Sequence, residues 1–283
     1  MSEHVRHQHK SGNAPRRLAN RLSLHRVIFG AMSDRKIILG VAALLMAAAL
    51  PRGLAQTVSR PAPTQADWLA VSKLPDFSGV WEIPLGPTRG LTGPQAKLSL
   101  TPEYAARKKA REASGVEDDQ TANCLPAGMP VIMGWPYPME FVLAPGKVTI
   151  LLESFSQIRH IYTDGRPLPT DPDPKFNGTS VGRWDGDTLV AETVGFSPLT
   201  ELERNVAHSD KMRIIERFRL TDPDTMTIET TLTDPEALTA PFTTTRVLKR
   251  HRTWTLAEYV CEENNRNFMD AAGKAGVKLD PRK

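Results

Sequence analysis

Glu216 is the acidic residue whose setting in the sequence best fits acid–base chemistry. A tight turn at residues 221–225 pairs Leu220 with Met226 and sets Glu216 opposite Thr230, on an otherwise apolar strand face. The pKa of a carboxyl group on such a face tends to rise, which is one way to make a general acid or base. The alternative is a structural glutamate that bonds an arginine across the core. On the opposite face, Arg217 faces Glu229 as a predicted cross-strand ion pair.

A second candidate pair follows if the chain turns tightly at residues 156–157. That register sets Glu153 opposite His160 and Ser154 opposite Arg159. A carboxylate beside an imidazole orients the ring and raises its pKa, as a general base requires. The alternative is an exposed pair without a function, because a shift of one residue moves every side chain to the other face.

The loops add His208, which precedes the Glu216 strand at a position where barrel mouths hold ligand contacts. A plain surface histidine is the alternative. Asp164 begins an Asp-Gly turn, and the nearby Arg166, together with Arg159, is a candidate clamp for a ligand carboxylate.

Three aromatic side chains are candidates for lining a binding pocket, with core packing as the alternative: Trp135, Tyr137 and Tyr162.

Motifs for metal or nucleotide chemistry are missing from the sequence. There is no HExxH, no glycine-rich phosphate loop and no Gly-x-Ser-x-Gly. After residue 55 the histidines are His160, His208 and His251, whose spacing does not indicate a metal site. We therefore expect neither a metal nor a cofactor; calcium held by carboxylates alone is the alternative.

The first 55 residues read as a leader that ends in a signal peptide. Residues 37–50 carry no charge and follow Arg35 and Lys36, and the small residues Gly53 and Ala55 precede a predicted cut after Ala55. A membrane anchor is the alternative, but spanning a bilayer takes about 20 apolar residues. Met32 offers an alternative start. We expect export to the periplasm or the medium, with no stable membrane anchor.

The basic charge of the chain belongs to this leader. The chain has 36 Lys+Arg and 32 Asp+Glu, of which residues 1–55 hold nine and two. The remaining 27 basic against 30 acidic residues leave a net charge of about −3. A nucleic-acid partner thus loses its main electrostatic support.

The exported part has two cysteines, Cys124 and Cys261, which we expect to form a disulfide because the compartment is oxidising. Two buried free thiols are the alternative.

Hydrophobic alternation predicts a mostly β fold after residue 140. Residues 56–75 read as an extended lead-in and residues 76–283 as one domain. A helix is predicted from Pro102, capped by Thr101, to about 113, and a closing helix from 257 to about 274. The predicted strands cover 141–144, 148–155, 158–163, 179–184, 188–194, 211–220, 225–233 and 242–249. Tight turns between them favour a single antiparallel β-barrel with a helix at each end.

Two resemblances agree with this architecture. The run Phe77-Ser78-Gly79-Val80-Trp81 resembles the Gly-x-Trp start of lipocalin-like barrels, in which an arginine from a late strand covers the tryptophan. That resemblance implies that Arg246 covers Trp81. From about 124 to 265 the chain is similar to a broad family of uncharacterised secreted bacterial proteins. The motifs carrying this similarity are Cys124-Leu125-Pro126, Asp164-Gly165-Arg166-Pro167, Gly182-Arg183-Trp184-Asp185-Gly186-Asp187-Thr188-Leu189-Val190, Ile214-Ile215-Glu216-Arg217-Phe218 and Tyr259-Val260-Cys261. It implies an exported β-architecture and adds no chemistry.

The sequence therefore predicts an exported, lipocalin-like barrel that binds a small, partly apolar molecule as a carrier or binding module. The alternative is a metal-independent acid–base enzyme (a lyase, isomerase or hydrolase) acting in the barrel pocket. A third hypothesis is an envelope structural protein with a filled barrel. A carrier predicts that an arginine holds Glu216, whereas an enzyme predicts Glu216 near His208 or His160 and beside open volume.

Overall fold

A computed structural model describes residues 61–93, 97–114, 121, 124–261, 267–269, 271 and 275–277. These residues fall within one compact unit, Pro61–Lys283. The predicted leader, its apolar segment at 37–50 and Met32 lie outside the described residues.

Within the described residues, nine strands close into a barrel. The strands of the described residues are β1 Gly79–Glu82, β2 Leu91–Thr92, β3 Met139–Ala144, β4 Lys147–Leu152, β5 Gln157–Tyr162, β6 Thr179–Asp185, β7 Thr188–Val194, β8 Glu201–Glu203, β9 Val206–Ala207, β10 Arg213–Asp222, β11 Thr225–Thr233, β12 Phe242–His251, β13 Asn267–Met269 and β14 Ala275–Val277. The order in the barrel is β1-β3-β4-β5-β6-β7-β10-β11-β12, and β12 pairs back with β1. The short strand β2 adds to β12, and β8–β9 and β13–β14 form separate two-stranded sheets.

The barrel is mixed, which corrects the fully antiparallel prediction. Strands β5 and β6 run parallel and pair at two positions, Ile161 with Ser180 and Tyr162 with Val181. The connection between them spans 163–178 and is rich in proline, so it cannot form a tight hairpin. It instead returns the chain to the end of the barrel at which β5 begins, so that β6 runs in the same direction as β5.

The β10–β11 hairpin confirms the register predicted from its turn. Leu220 pairs with Met226 and Glu216 with Thr230, and a bulge at the turn takes up the extra residue. Alternating burial along β10 follows this register, because its even-numbered residues from 214 to 218 face the core. Arg217 does face Glu229, but its ion pair is with Asp185 at 3.3 Å.

Trp81 is fully buried and is covered by Arg250, not by Arg246 as the resemblance implied. The Arg250 guanidinium lies 4.5 Å from the ring centroid, and the Trp81 indole N–H donates to the carbonyl of Phe77 at 2.9 Å. The reason is register: β1 pairs with the C-terminal end of β12, where Trp81 opposes Arg250. Arg246 lies four residues earlier, on the same strand face.

Two α-helices lie among the described residues. Helix α1, Gln65–Val71, occupies part of the predicted extended lead-in, and its signal is a capping box in which Thr64 and Asp67 bond each other's backbone N–H. Helix α2, Pro102–Ser114, begins at the predicted proline and buries Tyr104.

The predicted closing helix is wrong for the residues described there. Residues 257–260 have no regular structure, and β13 and β14 pair with each other where the helix was expected. The backbone N–H of Ala257 donates to Glu153, and the carbonyl of Tyr259 accepts from Ser156. These long-range bonds hold the segment against the loop after β4. At its end, Cys261 forms the predicted disulfide with Cys124.

Candidate functional site

A cavity of about 440 Å³ lies against the inner face of strands β10–β12. Residues from 89–98, 129–135 and 202–204 line it on its other sides. This volume falls in the range of small-molecule sites. Side chains from the barrel wall are joined by residues of the β1–β2 region, the turn at 129–135 and strand β8. The lining residues are Arg89, Leu91, Leu98, Met129, Pro130, Val131, Met133, Gly134, Trp135, Leu202, Glu203, Arg204, Glu216, Ile228, Thr230, Leu232, Phe242, Thr244 and Arg246.

Two glycines allow the adjoining segments to approach β12 closely. A Cβ atom at Gly134 would lie 2.8 Å from Nη2 of Arg246, so a larger residue would displace the guanidinium. Gly90 has a positive φ of 70°, and a Cβ atom there would lie 2.6 Å from the carbonyl oxygen of Val247. Glycine at these positions therefore brings the 131–134 turn and Arg89 against the same stretch of β12.

Arg246 presents a positive charge to this cavity. Its Nη1 donates to the backbone carbonyl of Arg89 at 2.6 Å, and no carboxylate of the described residues forms an ion pair with it. Burial lowers the pKa of Arg246, and the positive charge of Arg89 lowers it further. An arginine nevertheless stays protonated, so the group remains a partly desolvated cation.

Glu216 lies on the cavity wall and is held by Arg159. Both side chains are buried, with 0% and 1% of their surface exposed. Arg159 donates through Nη1 to Oε1 at 3.1 Å and through Nη2 to Oε2, and Nη2 also donates to Thr193 Oγ1 at 3.1 Å. This is a bidentate, charge-assisted pair inside the barrel. The geometry matches the structural interpretation of Glu216.

The predicted Glu153–His160 pair does not form. His160 opposes Thr149, with Nδ1 and Oγ1 3.1 Å apart, and Arg159 opposes Ile150. The register differs because the chain does not turn at 156–157. It makes a 3₁₀ turn over Ser154–Ser156, in which Phe155 has a φ of 57°. Glu153 bonds the Ala257 backbone instead.

We expect His160 to titrate below its ordinary pKa of 6.5. The residue is exposed at the surface, but partial burial of its ring and then the charge of Lys147 lower the pKa. Because the folded pKa lies below the unfolded one, protonation favours unfolding. The contribution of neutral His160 to stability is therefore present above pH 6.5 and is lost as pH falls through the lower pKa of the folded state. NMR titration should show the lowered midpoint, and Lys147→Gln should raise it partway.

The variant Lys211→Gln is the control for that titration, because Lys211 pairs with Asp210 on the loop before β10. It should leave the His160 midpoint unchanged. A midpoint above 6.5 would contradict the assignment and would instead fit a neighbouring carboxylate.

His208 is not brought to Glu216 or to the cavity lining. Its Nε2 lies 2.8 Å from Thr200 Oγ1, and its Nδ1 lies 2.7 Å from the carbonyl of Ser209. Hydrogen bonds of the two ring nitrogens therefore link the loop before β8 to the loop after β9.

The two arginines of the predicted carboxylate clamp, Arg159 and Arg166, have different partners. Arg166 donates to Asp164 of its own turn, with Nη2 to Oδ2 at 2.6 Å, and its guanidinium lies 3.6 Å from the Tyr162 ring centroid. Arg159 is engaged by Glu216 inside the barrel. The two arginines therefore have internal partners and do not converge on a shared site.

The three candidate aromatic side chains also lie in two different places. Trp135 lines the cavity and packs 6.0 Å from Tyr137, whereas Tyr162 lies with Arg166. Sequence reasoning missed the other members of the Trp135 cluster, Phe155 and Tyr259, whose rings are 4.9 Å apart. Tyr259 is distant in sequence, so no local pattern indicates it.

A second cavity, of about 450 Å³, lies beside the parallel β5–β6 pair. Residues 157–160, 162 and 174–180 line it, including Arg159, His160 and Asn177. In the part of the chain that the structure describes, no group of three or more His, Cys, Asp or Glu side chains is placed to hold a metal ion. No helix among the same residues is long and apolar enough to cross a membrane.

No protein-family model and no curated protein matches this chain. Similar solved structures include a mutant of the REP1-NXSQ fatty acid transporter, with 13% identity and a TM-score of 0.29 over 62% of this chain and 98% of that one. They also include a mutant of the fluorescent protein UnaG, with 15% identity and a TM-score of 0.29 over 62% of this chain and 96% of that one. The assignment of a barrel fold is therefore based on the strand pairing of this chain.

Proposed function

We propose that this chain is an exported β-barrel protein that binds a small, partly apolar molecule in the cavity beside β10–β12. The observation that carries the proposal is the cavity itself, because a barrel with a purely structural role needs no open volume of about 440 Å³. Its wall combines apolar side chains with a few polar groups, as ligand sites do. The apolar members include Leu98, Met129, Met133, Ile228, Leu232 and Phe242.

The pairing of Glu216 with Arg159 favours a carrier over an acid–base enzyme. Both carboxylate oxygens accept hydrogen bonds from the buried Arg159 guanidinium, so Glu216 is engaged by an internal partner and is not presented to a ligand. Neither His160 nor His208 is placed to exchange a proton with it.

Export is the part of the proposal that rests on the sequence. The basic and apolar pattern before residue 55 favours a signal peptide, and the Cys124–Cys261 bond fits an oxidising compartment. Intact mass and N-terminal sequencing of the secreted product should give Gln56 as the first residue. Retention of residues 37–50 would instead indicate an anchor.

The binding proposal is tested with N-phenyl-1-naphthylamine, a neutral dye that fluoresces in apolar sites. We expect the full chain, with its disulfide formed, to bind the dye, and Thr244→Phe to weaken binding by roughly tenfold or more by filling the cavity. The matched control is Thr243→Phe, since Thr243 is the next residue on β12 and is exposed outside the barrel.

Three results of this test have distinct meanings. Binding by wild type and Thr243→Phe, but not by Thr244→Phe, supports a ligand in this cavity. Equal binding by all three proteins places the dye elsewhere and contradicts the proposed site. Absence of binding in the wild type contradicts the function for molecules of this class.

A further inference from the structure

We propose that the ligand is an amphiphile whose anionic head, a carboxylate, binds Arg246 and Arg89, with its apolar part along β11 and β12. This inference rests on the proposed binding function and specifies the class of ligand. It replaces Arg159 and Arg166 as the predicted carboxylate clamp, because both of those side chains have internal partners.

The first step is the charge of Arg246, which the described residues do not neutralise. Its one hydrogen bond to them goes to a neutral carbonyl, and the charge that acts on it is the like charge of Arg89, which also lines the cavity. Removing a cation from water without a counter-ion costs free energy. A ligand anion beside Arg246 and Arg89 removes that cost and accepts charge-assisted hydrogen bonds.

The second step is the balance of the other charges on the wall. Glu216 is neutralised by Arg159 behind it, and Glu203 and Arg204 are adjacent residues of opposite sign on the exposed rim. Arg246 and Arg89 therefore account for the net positive charge of the cavity. A cationic ligand would face repulsion there, and a neutral one would leave Arg246 desolvated.

The third step is a polarity gradient along the paired strands. The β11–β12 ladder places Arg246 beside Ile228, then Thr244 beside Thr230, and then Phe242 beside Leu232. Four residues of strand separate the first pair from the last, which is about 13 Å. The wall thus changes from charged to hydroxyl-bearing to apolar, in the order that an amphiphile with one charged end would match.

The test compares decanoate with decanol, which share a chain length and differ in the charge of the head at neutral pH. Each competes with N-phenyl-1-naphthylamine for the full, disulfide-bonded chain. We expect decanoate to bind about tenfold to a hundredfold more tightly than decanol, and Arg246→Gln to abolish that difference. Arg246→Lys should retain part of it, because lysine keeps the charge without the planar fork.

The matched control is Arg219→Gln on the exposed face of β10, which should preserve the preference for decanoate. Circular dichroism verifies that each variant is folded. If Arg246→Gln does not fold, the wild-type comparison and Arg89→Gln, at an exposed position, still decide the question.

Failure of this inference is distinguishable from failure of the proposed function. Dye binding with equal affinity for decanoate and decanol overturns the anionic head and leaves the binding function standing. A preference for decanoate that persists in Arg246→Gln places the anion at another site and also overturns the inference. Loss of all binding, including the neutral dye, overturns both.

Discussion

Replacing Glu216 with glutamine should lower the free energy of unfolding by roughly 3–5 kcal/mol. The substitution leaves Arg159 charged and 1% exposed inside the barrel, without its carboxylate. The remaining partners of the guanidinium are the amide oxygen of the new side chain and the hydroxyl groups of Ser180 and Thr193, which do not neutralise a charge. Urea unfolding followed by tryptophan fluorescence measures the loss.

The double variant Arg159→Met/Glu216→Leu should recover most of that loss. Well-packed apolar side chains replace a buried ion pair at little cost, because no charge is then desolvated. Ser180 and Thr193 remain bonded to each other, with their hydroxyl oxygens 2.8 Å apart, so the change leaves them partnered. The control is Glu229→Gln on the exposed face of β11, for which we expect a change within about 0.5 kcal/mol.

The same double variant separates the carrier from the acid–base enzyme. A carrier whose Glu216 is structural keeps its affinity for a neutral dye when the pair is replaced by apolar residues. Retained stability together with loss of a measurable turnover would instead assign Glu216 a chemical role. A double variant as unstable as Glu216→Gln would show that the pair itself, and not charge balance, stabilises this part of the barrel.

Removing the disulfide should have an effect of similar size. The Cys124–Cys261 bond spans a sequence separation of 137 residues, and a closed loop of that length contributes about 5 kcal/mol in the chain-entropy model. We therefore expect Cys124→Ala/Cys261→Ala to lower the free energy of unfolding toward that value.

A larger dependence of that free energy on urea concentration should accompany the loss, because the unfolded chain is then less compact. The single variant Cys124→Ala is the control, since it breaks the same bond and should match the double variant when measured with reductant. A loss below about 1 kcal/mol with an unchanged urea dependence would contradict the entropic account.

Local patterns were sufficient for those parts of the fold that short turns determine. The β10–β11 register follows from one tight turn and an alternating segment, and it correctly places Glu216 inside. The β4–β5 turn was not predictable in this way, because Phe155 and Ser156 adopt positive φ angles that their residue types do not indicate. Its different length moved His160 away from Glu153.

The partners in the site depend on pairings between distant residues. Arg246 and Arg250 lie on the same face of β12, and only the β1–β12 register determines which of them covers Trp81. Arg159 and Glu216 meet across the barrel, 57 residues apart in the chain. The segments that bring Arg89 and Gly134 to the cavity are irregular, so no periodic pattern predicts their positions.

The pairing of β1 with β12 also sets when the chain is able to fold. Val80 pairs with His251, about 170 residues later, so a growing chain cannot close the barrel until β12 has been synthesised. Bringing such distant ends together costs chain entropy before any contact is gained, which makes closure a late and slow event. Until Arg250 arrives, Trp81 and the inner strand faces remain open to chaperones and proteases. For the export that we propose, the same delay would keep the chain unfolded long enough to pass through a translocation channel before the barrel closes.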